Sequence, residues 1–204
     1  MSHDSVVHII DDDQAVRDSL AFLLQSMRIP ATAHESATAF LASLSAGQQG
    51  CIVTDIRMPD VSGIDLLRRV KEMNVQMPVI VITGHGDVPL AVEAMKLGAF
   101  DFLEKPFNDE AIVTAVSLAL NRSKQAEQAN ADRTELDRRL ASLTSRERDV
   151  LNGLIAGNSN KVIASDLAIS PRTVEIYRAN VMTKMQAASL SELVRMAISA
   201  GVAE

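Results

Sequence analysis

Residues 51–69 read CIVTDIRMPDVSGIDLLRR. From Cys51 to Thr54 the run is short, β-branched and continuous rather than alternating, as in a strand covered on both faces. It stops at Asp55. Pro59 and Gly63 then break the chain, and Ser62 is placed to cap a following helix. Three further runs share this character, Val6–Ile10, Val79–Thr83 and Phe100–Leu103, with a weaker candidate at Ala31–Ala33. Amphipathic stretches separate them, for example Val16, Leu20, Leu23, Leu24 and Met27. Asp87 is a candidate N-cap, Pro89 sits in a first turn and Gly98 is a C-terminal stop. Five buried strands alternating with helices predict a doubly wound α/β domain with a parallel sheet.

In such a sheet the site lies at the carboxyl ends of the strands. The residues there are Asp11, Asp12 and Asp13 after the first run, Asp55 after the third, Thr83 at the end of the fourth, and Lys105 just past the fifth. Three or four carboxylates brought into one crevice repel one another unless a cation lies among them. Hard carboxylate oxygens with room for water and a phosphate suit Mg²⁺. A lysine and a hydroxyl opposite suit a phosphoryl group in transfer. Taken singly, each residue has a plainer reading: an Asp at a strand end commonly caps a turn or helix, and Lys before Pro is commonly solvated. Their joint placement at four of five strand ends is what points to a site.

The rest of the chain is different. Five of the six prolines lie at or before Pro106, and no glycine occurs between Gly98 and Gly153. Residues 107–143 can therefore run as uninterrupted helix. Beyond them only short helices are predicted. Thr144 with Glu147 forms a capping box for a helix ending near Gly157, and Ser159 caps a second through Leu167. Ser170-Pro171 opens a third through Met185, and Leu190–Ser199 makes a fourth. Two short helices on a tight turn, the second opening with polar and basic side chains, form a helix-turn-helix pattern. On the second of them Val174, Val181 and Met185 share a core face, while Arg172, Thr173, Glu175, Arg178 and Lys184 point elsewhere. Arginine and lysine there suit phosphates, and Glu175 can accept from a cytosine amino group. Asn160 and Lys161, opening the preceding helix, are candidates for backbone contact. The plainer reading of each is a solvated helix face.

Composition agrees with two parts. The chain has 204 residues and a formal charge of −6, with 16 acidic against 8 basic residues up to 121 and 10 against 12 after it. No apolar run approaches membrane-spanning length, and the N-terminus lacks a basic start and a cleavage site, so a soluble cytoplasmic protein is expected. The single cysteine, Cys51, excludes an internal disulfide and reads as a small buried hydrophobe. His8 reads as structural.

The stretches VHIIDDD, IVTDIRMPDVSGIDLLRR, VIVITGHGD and AFDFLEKPF resemble the receiver domain of two-component response regulators. LTSRERDVLNGLIAGNSNKVIASDLAISPRTVEIYRANVMTKM resembles the LuxR/FixJ-type DNA-binding domain, apart from Tyr177, where many relatives carry His. The resemblance implies a receiver over 1–121, a helical linker over 122–139 and an all-α DNA-binding domain over 140–204. It further implies that Asp55 accepts phosphate from a histidine kinase, and that Asp12 and Asp55 bind Mg²⁺ with Asp11 acting through water and the Arg57 carbonyl completing the site. Thr83 and Lys105 would bind phosphoryl oxygens, Phe102 would be an aromatic that reorients, and Arg57 and His85 would tune phosphate lifetime. The implied partners are promoter DNA, RNA polymerase, a second copy of the chain on phosphorylation, and a kinase of the FixL haem oxygen-sensor type, with no membrane. The implied output is activation of nitrogen-fixation or oxygen-responsive genes, or, for a paralogue, of genes answering another signal.

Two rival readings are weaker. An aspartyl-nucleophile hydrolase of the haloacid dehalogenase type needs a second Asp two residues after the first, where this chain has Arg57. A phosphorylation-independent adaptor has no use for the complete Asp12, Asp55, Thr83, Lys105 set. One feature of 107–143 is independent of the resemblance. Ile112, Ala115, Ala119, Arg122, Ala126, Ala129, Arg133, Leu136, Leu140 and Leu143 form a heptad-like seam. The leucine end is expected either to pair across a dimer or to serve a solvated spacer.

Overall fold

In the computed structural model, residues 5–45, 47–84 and 88–202 are described. His85 and Asp87, expected as a lifetime-tuning residue and an N-cap, lie outside them. The chain divides into two compact units, residues 1–127 and 128–204.

In the first unit, strands β1 (Val6–Ile10), β2 (Ala31–His34), β3 (Gly50–Asp55), β4 (Val79–Thr83) and β5 (Asp101–Glu104) alternate with helices α1 (Gln14–Ser26), α2 (Ala37–Ser43), α3 (Gly63–Glu72) and α4 (Val88–Leu97). The strands are all parallel, in the order β2-β1-β3-β4-β5. Continuous apolar strands follow from the two cores. Ile52 faces a core completed by Phe40, Leu66, Leu67 and Ala94, while its neighbours Cys51 and Val53 face one completed by Leu20, Leu24, Ile112 and Val116. Successive residues of a strand point to opposite faces, so burial on both sides removes alternation. Cys51 is fully buried, and burial pushes its thiol up to about 12, which leaves it inert. The order reverses between β1 and β3, so a crevice opens at their carboxyl ends.

Helix α5 (Asp109–Ala141) runs unbroken for 33 residues. Helices α6 (Ser145–Ile155), α7 (Asn160–Asp166), α8 (Pro171–Met185) and α9 (Leu190–Ser199) complete the second unit. Every expected cap among them is made. Thr144 and Glu147 form a reciprocal capping box, and Ser159 and Ser170 accept from the backbone amides of Val162 and Thr173. Val174, Val181 and Met185 are fully buried, as their spacing requires.

The seam on α5 is corrected by its own burial. Ile112, Ala115 and Ala119 are buried in the first unit's core, and Leu140 and Leu143 in that of the second, with Leu136 packed against the latter. Arg122, Ala129 and Arg133, between those ends, are exposed. Leu140 and Leu143 are already covered within their own unit, so they cannot also pair across a dimer without opening that core, while Leu136 is half-buried. The middle of the seam is solvated, as the spacer alternative expects.

Candidate functional site

The crevice at the strand ends collects four of the expected residues. Asp11 follows β1, Asp55 ends β3, Thr83 ends β4, and all three are buried, at 2%, 8% and 3% exposure. Lys105, one residue past β5, is drawn in by the ladder, its amide donating to the Thr83 carbonyl at 2.8 Å. Its Nζ donates to Asp55 Oδ1 at 2.7 Å and to Asp11 Oδ2 at 3.1 Å. Burial alone would lower the lysine's pKa, but its bonds to Asp55 and Asp11 outweigh that and hold it above the ordinary value. Asp11 is pushed up, first by burial and further by the Asp55 charge, against the stabilising amide of Asp13 and the Lys105 ammonium.

The backbone fixes the acceptor. Asp55 Oδ2 receives the Arg57 amide at 2.6 Å, which leaves the carboxylate spanned between an amide and an ammonium. Behind it, Gly63 donates its amide to the Ile56 carbonyl at 3.0 Å. A Cβ on Gly63 would lie 2.3 Å from the Asp55 carbonyl oxygen, so only glycine lets α3 start this close to the acceptor.

Two of the expected carboxylates behave differently. Asp13 does not enter the crevice; it is the N-cap of α1, its Oδ1 accepting from the Ala15 amide at 2.8 Å. This corrects the expectation of as many as four converging carboxylates, because the unsatisfied amides at the start of α1 compete for the side chain and the Ala15 amide takes it. Asp12 is exposed and lines an open cleft of about 630 Å³ with Ile56, Arg57 and Met58. Arg17 braces this loop, donating to the Asp11 and Asp12 carbonyls at 2.7 and 3.0 Å. It is a supporting residue that local sequence signals do not mark.

Among the described residues, no three carboxylate, imidazole or thiol groups gather closely enough to hold a metal by themselves. The chemistry present still fits Mg²⁺, which takes one or two carboxylates and completes its shell with water and phosphate oxygens. Asp11 and Asp55 already share one cation, the Lys105 ammonium, so the pocket is one built to balance anionic charge.

Thr83 Oγ1 donates to the Gly84 carbonyl at 2.9 Å and makes no bond to Asp55 in this state. Phe102 pairs in register with Val81, two residues before Thr83, so the aromatic and the hydroxyl share one sheet face. Phe102 is 43% exposed, and Val92 and Met95 on α4 are exposed as well.

On the second unit, α7 and α8 are joined by a tight turn with Ala168 at φ 54°. Lys161, Arg172 and Glu175 are exposed, and Asn160 and Arg178 are half-buried. Thr173 is drawn into the cap, its hydroxyl 2.7 Å from that of Ser170. Lys184, half-buried, is engaged within its own unit. Its Nζ donates to Glu147 Oε2 at 2.6 Å and to the Ser142 carbonyl at 3.2 Å. Lys184 is the leading cause of the fall in the pKa of Glu147, a carboxylate only 3% exposed. A buried carboxylate needs partners, and this lysine supplies the charged one.

Comparison with known proteins agrees with both halves. The response regulator receiver domain family matches residues 7–117, and the luxR family of bacterial regulatory proteins matches 141–197. The transcriptional regulatory protein FixJ of Azorhizobium caulinodans is 61% identical over 97% of this chain and 93% of its own. That of Bradyrhizobium diazoefficiens is 54% identical over 96% of each. Among solved structures, full-length FixJ from B. japonicum is 52% identical with a TM-score of 0.61 over all of both chains. The response regulator StyR is 38% identical with a TM-score of 0.89, over 96% of this chain and 99% of its own. No helix among the described residues is long and apolar enough to cross a membrane.

Proposed function

This chain belongs to the response regulators that join a receiver domain to a luxR-family DNA-binding domain, and we propose that its Asp55 is the phosphoacceptor that switches DNA binding. The family consists of transcription regulators and not enzymes; a receiver implies a cognate histidine kinase, and the luxR-family domain implies DNA binding. The observation that carries the proposal is the Lys105 ammonium, held 2.7 Å from Asp55 and 3.1 Å from Asp11 at the crevice floor.

In the transfer, an Asp55 carboxylate oxygen bonds to the phosphorus of a phosphohistidine while the P–N bond breaks and its electron pair leaves with the imidazole. A carboxylate meets a dianionic group reluctantly, and Lys105 offsets that charge. Receivers generally depend on Mg²⁺ for this step. Here the carboxylates of Asp12 and Asp55, the Arg57 carbonyl and, through water, Asp11 would hold it, and it would supply further neutralisation of the phosphoryl oxygens. Arg57, two residues after Asp55, and His85, two residues after Thr83 in the sequence, set how soon water reaches the acyl phosphate.

Thr83 then exchanges its bond to the Gly84 carbonyl for one to a phosphoryl oxygen. The space it leaves is on the Phe102 side of the sheet, so phosphorylation biases Phe102 inward and reshapes the α4–β5 surface. Exposed Val92, Met95 and Phe102 give that surface the apolar character self-association needs. A phosphorylated homodimer presents two α8 helices to promoter DNA. Asn160, Lys161, Arg172 and Arg178 serve the backbone and Glu175 a base edge, while Thr173 and Lys184 act from within the domain. Identity to FixJ supports a FixL-like haem oxygen-sensing kinase as donor, nitrogen-fixation or oxygen-responsive promoters as targets, and recruitment of RNA polymerase as output.

Acetyl phosphate labelling tests the central claim. The full chain should gain one phosphoryl group in Mg²⁺ and none in excess chelator, and Asp55→Asn should gain none. Comparable incorporation into Asp55→Asn would assign the acceptor elsewhere.

A further inference from the structure

Helix α8 carries one large apolar side chain that the fold does not use. Ile176 is 56% exposed, while Val174, Val181 and Met185 on the same helix are fully buried. Arg172, Ile176, Ala179 and Thr183 fall at intervals of four, three and four residues, and all four are exposed. Such spacing puts them on one stripe. Singly exposed apolar residues are ordinary on protein surfaces. Ile176 differs in its place, one turn after an exposed arginine and one turn before a small alanine, on the first half of the helix that follows the turn.

We propose that Ile176 is a specificity-determining residue that reads the 5-methyl group of a thymine in the major groove. The inference rests on the reading of α8 as the recognition helix. In that geometry the N-terminal half of the helix faces base edges, and docking strips water from Ile176. The base edges of the major groove offer donors, acceptors and a single apolar group, the thymine methyl. An isoleucine placed there gains only against that group. Ala179, one turn on, adds no bulk that would hold the helix away, and Arg172, one turn back, meets the phosphates that set its register.

The test uses the full-length chain phosphorylated with acetyl phosphate, and a duplex selected by that protein from a random pool. Each thymine of the selected duplex is then replaced, one at a time, by deoxyuridine, which differs only in lacking the methyl. The wild-type chain should lose about fourfold in affinity at one thymine of each half-site, the value of one buried methyl group. Ile176→Ala should bind the unmodified duplex about fourfold more weakly and be indifferent to deoxyuridine at that position, so the two losses do not add. Ile176→Val, which keeps a branched methyl pair, should retain the penalty. Additive losses, or a wild-type chain indifferent to every deoxyuridine, would overturn the proposal while leaving DNA binding intact. Failure to enrich any duplex would overturn the DNA-binding reading itself, and this inference with it.

Discussion

Lys105 and Lys184 form a matched pair in different settings. Each lies within 2.7 Å of a buried carboxylate, Asp55 in the receiver and Glu147 in the DNA-binding unit. Lys184 meets one carboxylate, and a capping box takes up the rest of that carboxylate's capacity, its Oε2 also accepting from the Thr144 amide at 2.8 Å. Lys105 is shared between two carboxylates, and Asp11 remains pushed above the ordinary range. The first arrangement is balanced and holds α6 against α8. The second keeps an excess of negative charge beside a cation, and a phosphoryl group or metal can rearrange it. Similar distances thus accompany opposite roles; what separates them is whether the local charge is already settled.

Replacing each lysine should break the comparison in opposite ways. Lys105→Met should slow acetyl phosphate labelling by about a hundredfold or more, the scale of losing a preorganised charge at a reacting group, with the fold retained by circular dichroism. Labelling within a few-fold of wild type would reduce Lys105 to an ordinary ion pair.

The pH response should also differ between the units. His8 is buried on β1 against His34, Gln48 and Phe40, with its Nδ1 3.1 Å from His34 Nε2 and its Nε2 2.9 Å from the Gln48 amide. Burial first, then the His34 charge, lowers His8 from 6.5 to about 4, and burial lowers His34 as well. Between these values the unfolded chain binds a proton that the folded chain refuses, so stability falls as pH falls. For His8 the loss is about 2 kcal/mol from pH 7 to pH 5. Calorimetry should show the receiver transition moving down over that range more than the DNA-binding one, and less so in His8→Leu. An equal shift in the variant removes His8 as the cause.

Lys184→Met should destabilise the DNA-binding unit by about 1.5 kcal/mol, the lower range for a hydrogen bond to a charged group, since the lysine side chain is partly open to water. Urea unfolding measures it, and an unchanged midpoint would mean Glu147 finds another partner.

The smallest effect sharpens the division of labour on α8. Arg172→Ala should lower the slope of log affinity against log salt by about 1, and Lys184→Met should leave it unchanged. A drop of similar size for Lys184→Met would return that lysine to the phosphate contacts.

Much of this was legible before any tertiary contact. Caps at Ser62, Thr144, Ser159 and Ser170 are local, and all are made as expected. Strand runs of apolar residues mark themselves because both faces of the sheet are covered. β5 is shifted by one residue, to Asp101–Glu104, since the end of a short run is set by its ladder with β4. Asp13 caps α1 and Lys184 pairs with Glu147, and neither use is marked in the sequence, for a shared reason. Each residue has a plain structural use as well as a functional one, and the neighbouring sequence favours neither.

The sequence by itself determined the doubly wound order of elements, the residues at the strand ends, the long α5 and the helix-turn-helix. Those depend on periodicity, breakers and caps, all of which act over a few residues. The tertiary structure decided which partner each of these faces and charges receives. Lys105 reaches Asp11 across 94 positions, Lys184 reaches Glu147 across 37, and Leu140 and Leu143 turn into a core formed by α6, α7, α8 and α9. An apolar stripe or a charge requires some partner on physical grounds, but burial and ion pairing are blind to chain distance. Only the folded geometry selects which one.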